Sequence, residues 1–155
     1  MIDDLYARRI HTTLRNISSP RQDLKFAQLK IYYQERGLEL NKQFANSLEF
    51  LTPDGKFNYI AYLLADENGV SIKVAKYAGS DKVDLIENEE YGYCSLIKAT
   101  YSVLEKLKIE NVTYAKVTST KRIEKNLVEP VAMREAIVNC IVHNDFTHEI
   151  PSVFE

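Results

Sequence analysis

The sequence predicts an α+β fold, with a small, largely antiparallel sheet covered by helices, and three observations carry that reading. Residues 71–77 alternate Ile72 and Val74 against Lys73 and Lys76, the period of a half-buried strand. Residues 89–108 place Tyr93, Leu96, Ile97, Tyr101, Leu104 and Leu107 at helical spacing. Pro130 stands before an apolar run, and its missing N–H costs nothing in the first turn of a helix.

The remaining elements follow in chain order. Residues 3–17 read as a helix, with Leu5, Ile10, Leu14 and Ile17 on one face. Ser18-Ser19-Pro20 breaks the chain and offers a cap for a second helix over 21–36, which Gly37 stops. That helix should partly bury Leu24, Ala27, Gln28, Leu29, Ile31 and Tyr32. A short apolar segment over 44–51 ends at Thr52-Pro53-Asp54-Gly55, a turn signature. Residues 57–64, rich in aromatic and aliphatic side chains, read as a strand. Asp66-Glu67-Asn68-Gly69 would then join it to 71–77 as a hairpin. A third strand is predicted over 111–119, a final helix from Pro130 to about 143, and a short strand after Pro151.

The 155 residues suffice for an ordinary domain with a real core. Apolar residues make up 45% and charged residues 27%, ordinary for a globular chain. No stretch approaches the roughly 18 apolar residues of a membrane span, and the acidic N-terminus lacks a signal-peptide pattern. A cytoplasmic, non-membrane protein is the expectation. Cys94 and Cys140 are too few for a disulfide framework and are expected as buried thiols. The formal charge of −2 excludes general attraction to nucleic acid. Residues 1–42 carry eight basic against five acidic side chains, a mild bias better read as a solvated face than a DNA-binding patch.

The segment that carries chemistry is 133–146. Positions four apart on a helix advance roughly 40° beyond a full turn. Glu135, Asn139 and His143 therefore form one polar stripe on an otherwise apolar helix, expected to be largely buried. A carboxylate one turn from an amide can orient a water while the amide oxygen ligates Mg²⁺. From spacing alone, a solvent-facing stripe is the plainer explanation, since Glu and Asn are common on surfaces.

The run from Arg134 to Phe146, REAIVNCIVHNDF, resembles the REAlvNAlvHrDY signature of RecG-related ATP-binding proteins. Residues 59–66, 75–79 and 90–98 are also similar to that family, so the resemblance covers most of 55–150, while the first 50 residues match less distinctively. Such proteins join a Schlafen/AlbA-type DNA-binding domain to an ATPase domain of the gyrase/Hsp90/histidine-kinase class. The resemblance implies that 129–155 opens the ATPase domain with its N-box helix, after a helical region over 1–54 and a central α+β region over 55–128. It implies that Glu135 is the base that activates water and that Asn139 ligates Mg²⁺, with His143 and Asp145 continuing the nucleotide site. ATP and Mg²⁺ are the implied cofactors, and DNA the implied partner. Asn144 and Cys140 depart from the signature, which has a basic residue and Ala there. The Asp-x-Gly-x-Gly element and the glycine-rich lid are absent, since the five glycines fall singly. The chain is thus expected to be a fragment of a larger transcriptional regulator or helicase-like protein, with an incomplete site and no ATP hydrolysis of its own. Val138, Ile141 and Val142 would then be exposed, inviting self-association.

Three other constellations weigh less. His143, Asp145, His148 and Glu149 match no defined metal-ligand spacing. The ten tyrosines include several at core-facing positions, where packing outweighs base stacking. Lys121, Arg122 and Lys125 form a small basic loop. A non-catalytic nucleic-acid-binding or protein-interaction module is the alternative to the nucleotide site.

Overall fold

The computed structural model describes residues 13–117, 122–148 and 150–155, with the backbone alone over 112–125. Most of the helix predicted over 3–17, together with His11, Lys121 and Glu149, lies outside the described residues. The chain divides into two compact units, 1–68 and 69–155.

The first unit is short helices and extended segments around an aromatic core. Leu14–Asn16 is a single 3-10 turn and Ile17 is already extended, so no helix reaches residue 17. The helix predicted over 21–36 is α1, Ala27–Gln34, and begins six residues late. Ser19 does not cap it; its hydroxyl closes a local turn with Arg21. The cap comes from far along the chain. Asp66 accepts hydrogen bonds from the backbone N–H groups of Ala27 and Gln28, both at 2.8 Å, placing a carboxylate at the positive end of the helix. Gly37 ends α1 as expected, at φ 68°, with Leu38 N–H donating to the Tyr33 carbonyl. Leu29 is buried, but Ala27 and Ile31 face out.

The apolar segment after residue 43 forms the one-turn helix α2, Phe44–Ser47. Phe26, Phe44, Phe50 and Phe57 meet with ring centroids 5.2–6.1 Å apart, the contacts that fix this core. The turn at 52–55 forms as predicted, with Gly55 at φ 76° donating to the Thr52 carbonyl.

Residues 57–64 are a correction. They form helix α3, Tyr59–Leu64, not a strand. The signal missed is Asn58, which is fully buried and caps the helix by accepting from Ala61 N–H at 3.0 Å. Its amide also donates to the Glu49 carbonyl at 2.7 Å. The hairpin predicted at 66–69 falls with the strand. Asp66 is spent on α1, and Asn68 donates to the Leu63 carbonyl at the exit of α3.

The second unit contains the sheet. Strand β1, Ser71–Tyr77, is central, pairing antiparallel with β2, Leu85–Gly92, on one side. On the other it pairs in parallel with β5, Ser152–Phe154, so the order is β2-β1-β5. Strands β3, Val112–Val117, and β4, Arg122–Asn126, make a separate antiparallel pair. The α+β class holds, with a mixed three-stranded sheet. Strand β4 contains Arg122 and Lys125, predicted as loop.

The true hairpin partner of β1 is the segment that opens the predicted helix over 89–108. Lys73 sits opposite Glu90 and Lys76 opposite Glu87, so cross-strand charge pairs support this register. Gly92 is required for it, since a Cβ there would stand 2.4 Å from the Ser71 Cα. Helix α4 therefore starts later, at Leu96–Glu110, and packs on β1 and β2. Its core face is Ala99 and Val103, one step out of phase with expectation, and Tyr93 and Tyr101 are exposed. Helix α5, Pro130–Val142, begins at its proline, with the Glu129 carboxylate capping Ala132 N–H at 2.7 Å. Among the described residues, no helix is long and apolar enough to cross a membrane.

Two stability outcomes follow from these contacts. Asp66→Ala should destabilise the first unit by about 1–2 kcal/mol, read as a lower denaturant midpoint, because it uncaps α1. Gly92→Ala should cost about 1–3 kcal/mol, since its neighbour is backbone and cannot move aside alone. Unchanged midpoints would contradict these contacts.

Candidate functional site

Helix α5 presents the predicted stripe on its open side. Only Ile137 and Ile141 are buried on this helix, at 4% and 2% exposure, with Met133 and Val138 half-buried beside them. Taking roughly 100° per residue, Glu135, Asn139 and His143 lie on the side opposite Ile137 and Ile141. All three are exposed. The helix is therefore not largely buried, contrary to expectation. Its apolar residues were too numerous for one buried face, and several simply remain outside: Val131 is 63% and Val142 69% exposed. Of the three positions expected to be uncovered, Val142 is exposed, Val138 half-buried and Ile141 buried.

The side of α5 that carries the stripe also carries Ala132 and Ala136. Small side chains beside a carboxylate and an amide leave room for a group to approach the helix closely. His143 is the C-terminal cap, its backbone N–H donating to the Asn139 carbonyl at 3.0 Å.

Asp145 is engaged differently. It accepts from the Thr147 N–H at 3.0 Å and the Thr147 hydroxyl at 2.5 Å, and it pairs with His148 Nδ1 at 3.0 Å. These bonds, Thr147 first, hold its carboxyl below the usual aspartate range. They shape the 3-10 turn Phe146–His148, whose Phe146 is buried. Asp145 is thus occupied with chain geometry, while Glu135 and Asn139 face solvent. Among the described residues, no group of three or more His, Cys, Asp or Glu side chains is arranged to hold a metal. Cys140 is exposed, not buried as expected, and Cys94 is half-buried with its thiol pushed up by burial.

The densest charge cluster lies elsewhere and was not anticipated. Lys106 of α4 contacts Glu87 at 2.5 Å, Glu89 at 3.2 Å and Glu110 at 3.3 Å, and Lys76 contacts Glu110 at 2.5 Å. The Glu87 and Glu89 contacts hold the Lys106 ammonium well above its ordinary range. Lys76 and then Lys106 hold Glu110 low. Burial, then Glu89, pushes the Tyr91 hydroxyl up to about 12. Sequence spacing could signal only the Lys106–Glu110 pair; the rest is assembled by the β1–β2 register. A cavity of about 390 Å³ opens beside this cluster, and neither Glu135, Asn139 nor His143 lines it.

No protein-family model and no curated protein sequence matches the chain. One solved structure does, the DIP2311 protein from Corynebacterium diphtheriae, with a TM-score of 0.61 at 16% identity. The match covers 96% of this chain and 32% of that one, so the chain spans about a third of the length of the protein it resembles. At this identity the likeness concerns the fold alone.

The Asp145 geometry predicts a pH effect. A carboxyl held low in the folded state contributes stability above its unfolded pKa, and loses it as pH falls through the folded value. Thr147→Val removes the hydroxyl donor, so the Asp145 midpoint, followed by carboxyl carbon NMR, should move up toward that of an ordinary aspartate. An unmoved midpoint would show that the hydroxyl does not bind the carboxylate in solution.

Proposed function

We propose that α5 is the nucleotide-facing helix of a cytoplasmic, RecG-related ATP-binding regulator, with DNA as the partner of the protein that contains it. The observation that carries the reading is the placement of Glu135 and Asn139. They stand one turn apart on the open side of α5, flanked by Ala132 and Ala136, and both are exposed.

The donor chemistry fits the implied ligand. An amide oxygen is a hard ligand suited to Mg²⁺, which keeps waters and phosphate oxygens in the rest of its shell and needs no cage of protein carboxylates. ATP with Mg²⁺ would supply an electrophilic phosphoryl group. Glu135 would orient a water and hold its proton, Asn139 would present its oxygen to the metal, and His143 would border the site from the end of α5. Asp145 supports the reading more indirectly, by fixing the turn that follows the helix. Adenine recognition and closure over the phosphates need further groups, so hydrolysis by residues 1–155 alone is not expected.

A second reading, a non-catalytic interaction module, is favoured by one feature. Val131, Val142, Ala132 and Ala136 leave much of α5 both apolar and open, as on a helix that docks against a protein surface or a second copy of this chain.

The two readings separate in the natural full-length protein. Glu135→Gln should retain Mg²⁺-dependent ATP binding and lose turnover by about a hundredfold or more, whereas Asn139→Ala should lose the Mg²⁺ dependence of binding. ATP turnover equal to wild type in Glu135→Gln would sink the nucleotide reading, as would the absence of any ATP binding.

A further inference from the structure

The cavity of the second unit has the composition of a ligand site, and none of its lining residues belongs to the α5 stripe. At about 390 Å³ it lies within the range of small-molecule pockets. Val74 and Tyr77 of β1, Leu107 of α4 and Leu127 form its apolar wall. The ionic wall is Lys76, Lys106, Glu87 and Glu110, and Lys82 of the β1–β2 connection pairs with Glu155 where both line the cavity.

The polarity of the ionic wall selects the occupant. Lys106 is spent on Glu87, Glu89 and Glu110, and its side chain is only 16% exposed. Lys76 is spent on Glu110. Lys82 and Glu155 cancel. The remaining two ammonium groups face three carboxylates, an excess of one negative charge. Their hydrogen-bonding capacity is unequal in the same sense. Two ammonium groups offer about six N–H donors, while three carboxylates offer about twelve acceptor sites. Tyr91 supplies one further donor, to Glu89. A ligand that brings donors and positive charge completes this wall, whereas one that brings a carboxylate meets lysines already engaged. Tyr77 adds an aromatic ring to the apolar wall, a surface that also tolerates a cation.

We propose that this cavity binds a small organic cation, a primary ammonium on an apolar body, with the apolar part against Val74, Leu107 and Leu127 and the ammonium toward Glu87 and Glu110.

The test is an amide NMR titration of the 155-residue chain at neutral pH with benzylamine, and with benzoate as the anion of matched size. Benzylamine should give saturable shifts over 74–82 and 106–110, and benzoate should give none. Leu107→Trp, which fills the apolar wall, should abolish the benzylamine shifts while the amide spectrum stays dispersed. Glu110→Gln should weaken binding by about threefold or more, the scale of one partly exposed charge contact. Equal affinity for benzoate overturns the proposal. So does binding that survives Leu107→Trp in a folded chain, or the absence of saturable shifts at about 20 mM, weaker than any specific fragment site. If Leu107→Trp fails to fold, Glu110→Gln and the benzoate comparison still decide.

Discussion

The second unit depends on the burial of β1 with both of its edges in use. Ile72 is fully buried and Val74 nearly so, while the backbone pairs with β2 on one side and β5 on the other. A strand in that position cannot slip by one residue, because a slip would exchange Ile72 and Val74 with Lys73 and put charge into the core. The register so fixed brings Glu87 and Glu90 opposite Lys76 and Lys73, and sets Gly92 against Ser71. Helix α4 then covers the sheet with Ala99 and Val103, and Lys106 arrives beside three carboxylates. The ion cluster is thus a consequence of apolar burial in a neighbouring strand. Isolated, it would contribute little; held by the register, it gives one wall of a cavity a fixed polarity.

Where the sequence was legible, a local rule was sufficient. Pro130 marked the start of α5, Gly37 the end of α1, Gly55 the turn, and the alternation in 71–77 a strand. Where it was not, a distant partner decided. Helix α1 begins at Ala27 because Asp66, 39 positions away, satisfies its first N–H groups. Residues 57–64 are rich in strand-prone aromatics, yet a buried asparagine that also holds the Glu49 carbonyl turns them into a helix. Residues 85–92 pair with β1 although their carboxylates gave no clean alternation, because the complementary charges lie on the other strand and on α4.

The stripe on α5 belongs to the legible class, and so do its limits. Spacing fixes that Glu135, Asn139 and His143 share a side, since that follows from helix geometry alone. It does not fix which side faces the core. That is decided by Ile137 and Ile141, the two bulkiest β-branched residues on the helix, which take the interior and turn the polar stripe outward. Asp145 shows the converse: it continues the same signature in sequence, but two residues past the helix it is governed by Thr147 and His148. Adjacency in a motif is therefore not equivalence of role.

The two candidate sites differ in the kind of constraint that makes them. On α5, exposed groups of the right chemistry stand in the right order, and specificity has to come from whatever meets that side. In the cavity, the groups are ordinary lysines and glutamates, and specificity comes from enclosure and from an imbalance of charge that the fold cannot relieve internally. Partly buried ion networks of this sort stabilise a fold weakly, because desolvation offsets much of the Coulomb attraction. Lys106 and its three carboxylates contribute little that apolar packing could not supply at the same position. What apolar packing could not supply is a wall with unused acceptors, and that asymmetry gives the cavity a preference among ligands of equal size.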